Sequence, residues 1–145
     1  MFSLVDQADA ILAKLAEVQG LSQIDIGEVV DSLESKPRAL PSVSLLPPVG
    51  KPKKPENAIT DADSSWMVVI VAKSVLGPLG HLAMMDKVMD TLAGFKPEVQ
   101  GAMPLILAGW GLLEERIGEA GLFASHVTFT TTQRATIRWN VRNNQ

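Results

Sequence analysis

From Ser125 to Arg142 the chain alternates. The even positions are His126, Thr128, Thr130, Thr132, Arg134, Thr136, Arg138, Asn140 and Arg142, and the odd positions include Val127, Phe129, Ala135, Ile137, Trp139 and Val141. Successive side chains of a strand point to opposite faces, so this pattern predicts one long β-strand with a polar, basic face and a mostly apolar one. Its length is well beyond the usual strand of about 5–6 residues. A strand wetted on one side belongs to an antiparallel sheet, and its other side needs an apolar cover.

Two helices supply that cover. Near the N-terminus, Ser3 and Asp6 match a capping box, and Ala8, Ile11, Leu12, Leu15 and Val18 recur at three- and four-residue steps up to a stop at Gly20. A second helix is predicted over 82–93, with Leu82, Met85, Val88, Met89 and Leu92 on one face, Gly94 as its cap and Pro97 preventing continuation. Met84, Met85 and Met89 read as helix-face core. Strands are predicted over 41–46, over 65–72 and over 105–110. The second is nearly all apolar and so is expected to be covered on both faces. Gly109 and Gly111 suggest a bulge or close packing in the third, and 118–121 reads as a turn. Gln23–Ile26 alternates like a short strand, and 28–36 fits either a strand extension or a short helix. The order predicts an α+β fold, a mostly antiparallel sheet with two main helices packed on one face.

A chain of 145 residues suits one domain over 1–145. With 46% hydrophobic and 20% charged residues it has globular composition. The absence of cysteine excludes disulfides, thiolate nucleophiles and Cys-based metal sites. The start Met1-Phe2-Ser3-Leu4-Val5-Asp6 lacks the basic region of a signal peptide. The longest uncharged stretch, 99–113, is shorter than the roughly 18 residues of a membrane helix. No membrane partner and no export are therefore expected. Pro47 to Asn57 holds four prolines and three lysines, which predicts an exposed, mobile loop over 47–63.

Few residues suggest chemistry. His81 and His126 lie outside any metal-ligand spacing and read as surface or helix-start histidines. Ser125 and His126 are neighbours on a strand, so they face opposite ways and cannot form a nucleophile–base pair. Gly77-Pro78-Leu79-Gly80 precedes a helix but lacks the lysine of a phosphate loop. Asp61 and Asp63, Glu114 and Glu115, and Asp86 and Asp90 read as solvated charges. Neither a catalytic residue nor a cofactor nor a metal is expected.

Charge is unevenly placed. Between Glu34 and Glu56 stand Lys36, Arg38, Lys51, Lys53 and Lys54 with no acid, and after Glu119 stand Arg134, Arg138 and Arg142 with no acid. The remainder is acidic, and the net charge is −3. Such sidedness suits identical subunits meeting head-to-tail, which closes a ring when the rotation allows. A ring multiplies weak basic patches around its hole.

The layout resembles the tail terminator and tail completion (minor tail) proteins of long-tailed bacteriophages, Mu-like and lambda-like. The parts that carry the resemblance are the helix Ala8–Val18, the proline-led strand Pro41–Leu46, the polar loop, the strand Trp66–Ala72, the helix Asp86–Ala93 with Gly94-Phe95-Lys96-Pro97 after it, and the long C-terminal strand. The most suggestive segment is Met89-Asp90-Thr91-Leu92-Ala93-Gly94-Phe95 with a proline after it. The resemblance implies a structural virion protein of the tail, made in the host bacterial cytoplasm and carried by a phage or a prophage. It implies a ring, commonly hexameric, that caps the tail tube and joins it to the head–neck connector, without catalysis. Its partners would be copies of itself, the tail tube protein, the connector proteins and DNA passing through the lumen. Lys51, Lys53, Lys54, Arg134, Arg138 and Arg142 are candidates for ring-lumen or partner contact on charge and exposure. The competing reading is a small ferredoxin-like regulatory or ligand-binding domain.

Overall fold

The computed structural model describes residues 3–21, 23–26, 40–52, 59–99, 101–117 and 122–136. Helix α1 spans Leu4–Leu15. Ser3 caps it, its hydroxyl accepting from the Asp6 amide at 3.1 Å, which satisfies a donor that the first turn leaves unpaired. Strands β1 (Gln23–Ile26), β2 (Ser42–Leu45), β3 (Val49–Pro52) and β4 (Ile59–Ala72) follow, then helix α2 (His81–Leu92) and strands β5 (Ile106–Ile117) and β6 (Leu122–Thr136). Gly94, at φ +79°, takes the left-handed conformation just past the end of α2.

The sheet has the order β1-β2-β4-β6-β5, with β3 also paired to β4. Among the described pairs, only β1–β2 is parallel. This is the expected α+β architecture. β2 and β3 share one edge of β4: β2 lies beside Val68–Val71 and β3 beside Ala62–Ser65. Pro47 and Pro48 separate them because two residues without N–H groups cannot continue the ladder.

The expected mobile loop over 47–63 is corrected here. Val49–Pro52 is a strand and β4 already begins at Ile59, so only 53–58 stands between them, outside the described residues. Composition hid this, because prolines and lysines are depleted in strands and the pairing with β4 overrides that preference. Gly50 makes the pairing possible: a Cβ there would overlap the Asp63 carbonyl oxygen.

The strands predicted over 65–72 and 105–110 also prove longer. Polar residues Thr60, Asp61, Asp63 and Ser64 extend β4 because β6 flanks them along its whole length, and β3 flanks part of it. β5 continues past two register shifts, one between Leu107 and Gly109 and one between Leu112 and Arg116. The predicted turn at 118–121 and the last part of the alternating segment, 137–142, lie outside the described residues, as does 28–36.

Both helices pack on one face, as expected. Ile11, Leu15 and Val18 near the N-terminus, and Met84, Met85, Val88 and Leu92 of α2, are buried against Val43, Leu45, Trp66, Val68, Ile70, Val127 and Phe129. The opposite face has a smaller cluster, Val69, Val71 and Ala124, with Leu46, Met67 and Leu113 partly buried on it. Val68 to Ala72 is therefore covered on both sides, as its composition predicts.

Candidate functional site

The polar face opposite the helices carries both predicted site residues that the structure describes, Lys51 and Arg134. Cross-strand pairs share a face, so the registers lay out its rows. Lys51, Asp63 and Thr132 form one row across β3, β4 and β6. Asp61 and Arg134 form the next. The Thr132 hydroxyl donates to Asp63 Oδ1 at 2.6 Å, and Arg134 Nε donates to Asp61 Oδ1 at 3.3 Å. Arg134 and Lys51 are exposed. Lys53, Lys54, Arg138 and Arg142 lie outside the described residues.

The neighbouring strands add acids to the expected basic strand face. Among the described residues, two carboxylates (Asp61 and Asp63) stand beside two cations (Lys51 and Arg134), so this stretch is balanced. The signal was present in the sequence: Asp61 and Asp63 sit at the same two-residue spacing as Thr132 and Arg134, and antiparallel pairing sets them opposite each other. Reading each strand alone missed it.

The helix-side face of the same strands carries a buried polar relay. Trp66 Nε1 donates to Gln7 Oε1 at 3.1 Å, and Gln7 Nε2 donates to Gln133 Oε1 at 2.7 Å. Gln7 and Gln133 are both fully buried. The Thr131 hydroxyl donates to the Met103 carbonyl at 2.8 Å. The relay ties α1 to β4 and β6 below the apolar core.

His81 opens α2 as expected, but it is 4% exposed rather than a surface residue. Its Nδ1 lies 2.8 Å from the Ser125 hydroxyl. Ser125 and His126 do point to opposite faces; the structure instead pairs Ser125 with a histidine 44 positions away. Ser125 is 2% exposed and His81 Nε2 has no hydrogen-bond partner, so the pair is sealed from any substrate. Burial lowers the His81 pKa below 6.5, opposed by the Ala72 backbone carbonyl. Burial also lowers that of His126. His126 lies opposite Gly111, where the missing side chain leaves room for the imidazole.

Two apolar features stand out, one on the edge strand β5 and one beside β2, the second strand from the other edge. On β5, Trp110 is 61% and Leu112 60% exposed. Near β2, an open cleft is walled by Leu4, Val5, Ala8, Leu45, Pro47 and Pro48, with only apolar surface facing it. Among the described residues, no group of three or more metal-ligating side chains gathers. No helix among them is long and apolar enough to cross a membrane.

No family model matches the sequence, and no curated protein matches it. In three dimensions the chain is similar to one in a solved structure described as the virion of a native gene transfer agent (GTA) particle. The two share 16% sequence identity at a TM-score of 0.67, over 92% of this chain and 100% of that one. At that identity the likeness is one of fold: this chain is built on the same fold as a subunit of a virion particle.

Proposed function

We propose that the chain is a structural subunit of a phage-like particle, specifically a tail terminator. It assembles as a ring, of six copies on the family resemblance, that stops the tail tube and presents a surface to the head–neck connector. The observation that carries this reading is a fold shared with a virion chain along that chain's entire length. Two features support it. The Ser–His pair is sealed from substrate, and the described clefts are open grooves, including the one lined by Lys14, Glu17, Lys96 and Glu98. Large apolar side chains stand exposed at the sheet edge, a surface that a partner covers in an assembly. Those grooves also give the ligand-binding alternative nothing to enclose a small molecule.

In this role the chain performs no catalysis. It belongs in the virion tail and is present in the bacterial cytoplasm during assembly. Lys51, Lys53, Lys54, Arg134, Arg138 and Arg142 are its candidates for lumen or partner contact. Negative-stain imaging of particles made with and without the protein tests the reading. Without it, tubes should be over-long and uncapped; tubes of normal length in its absence overturn the assignment.

A further inference from the structure

Between β4 and α2, every residue from 73 to 79 is exposed. The backbone of this loop is nevertheless fixed, because it caps the helix. Gly80, the N-cap residue of α2, has no side chain to do so. The first helical amides bond to the loop instead. The His81 N–H donates to the Ser74 carbonyl at 2.9 Å and the Leu82 N–H to the Val75 carbonyl at 3.2 Å. The Ser74 hydroxyl donates to the Leu76 carbonyl at 2.7 Å. A Cβ at Gly80 would overlap the Leu76 carbonyl oxygen. Loop and helix start are therefore one unit. After Ala72, His81 supplies the first buried side chain, and its contact with Ser125 ties that unit to β6.

This anchor suits only a neutral ring. An imidazolium carries a hydrogen on both nitrogens, and His81 Nε2 is buried with no acceptor beside it. The N-terminal end of a helix also disfavours a cation. Among the described residues no carboxylate offsets these costs. α2 has no acid in its first turn, and Asp86, its first, is exposed. Asp6 and Asp9 of α1 are exposed. β4 presents the Ala72 carbonyl and then the exposed Lys73. β6 presents Ser125, with Leu112 of β5 opposite it, and His126 lies on the other face.

We propose that His81 is an acid-sensitive latch: protonation drives the imidazole away from Ser125 and frees the 73–80 loop with the first turn of α2, while the sheet and the remaining core stay folded. The opening is local because the loop itself contributes no buried contact. At neutral pH the latch holds Val75, Leu76 and Leu79 in one fixed, exposed arrangement, and acid dissolves it.

The chain has no cysteine, so one introduced thiol carries one spin label. The full chain is labelled at Leu76→Cys, or at Val49→Cys on β3 as a control, since both positions are exposed. Between about pH 7.5 and about pH 5, where histidine titrates, the label at 76 should tumble about threefold faster. The label at 49 and the far-UV circular dichroism should not change. The midpoint should lie below 6.5, because the latched state disfavours the charge. Adding His81→Gln, a side chain that does not titrate, should abolish the response, and adding His126→Asn should preserve it. If His81→Gln does not fold, NMR titration of both imidazoles in the otherwise unmodified labelled chain replaces it, and mobility at 76 should follow His81.

A label at 76 that stays constrained at about pH 5 overturns the latch. So does a response that survives His81→Gln or follows His126. Loosening at 49 in step with 76 overturns it too, since the molecule is then unfolding as a whole.

Discussion

Gln133 shows how much a single side chain carries in this molecule. Its Oε1 accepts from Gln7, which in turn accepts from Trp66, and all three are buried. Replacing Gln133 with Leu leaves the Gln7 amide without that acceptor in a dry site. An orphaned buried polar group costs about 1–3 kcal/mol. Urea unfolding should show a loss of that size with an unchanged slope, and a neutral outcome would mean that water reaches the relay. His81 acts at the same scale through pH. Its folded pKa is lowered, so the unfolded chain binds the proton first. The stability it contributes is present above its ordinary value of 6.5 and is lost as pH falls through the folded value. His126 adds to the effect with the same sign. The melting temperature should therefore fall on acidification below about pH 6.5. His81→Asn should flatten that slope, and an unchanged slope in the variant would remove His81 as its source.

At the scale of elements, the pairing of β3 with β4 depends on a close backbone approach. A methyl group at Gly50 would meet the Asp63 carbonyl, so Gly50→Ala should cost about 1–3 kcal/mol through overpacking. Val49→Thr, at a position 76% exposed, should be nearly neutral. Amide exchange read along Val49–Pro52 checks both. This strand is also where the sequence is least readable. Helix α1 is legible because a cap and an apolar stripe agree, and α2 because its apolar face ends at Gly94. The alternating segment is legible because period two has one structural meaning. β3 has four exposed residues, two of them Gly50 and Pro52, so neither periodicity nor propensity marks it. Its existence is a property of β4, which recruits it. The same holds for the site. Arg134 reads as a free cation until β4 brings Asp61 beside it, and His81 reads as exposed until α2 lands on Ser125. Pairings between positions 44 or more apart leave no local trace in the chain.

For the whole molecule the question is how a subunit of net charge −3 and sequence pI about 5.3 comes to surround DNA in the proposed role. A channel that holds DNA tightly would stall it, so a terminator needs weak, non-sequence-specific contact. The structure is consistent with that requirement, since Arg134 is paired with Asp61 and Lys51 stands opposite Asp63. Affinity for duplex DNA comes from the phosphates that cations neutralise, and carboxylates in the same rows cancel much of that gain. Fluorescence anisotropy with a labelled duplex at near-physiological salt should show no binding by the isolated subunit tighter than about 10⁻⁴ M, the weak end of non-specific association. Asp61→Asn with Asp63→Asn removes both carboxylates and leaves both cations. This variant should bind measurably more tightly, with an affinity that falls steeply as salt rises. If the unmodified subunit already binds at micromolar concentration, the described sheet face is not what sets its affinity. The basic residues outside it, Lys53, Lys54, Arg138 and Arg142, would then have to supply the contact.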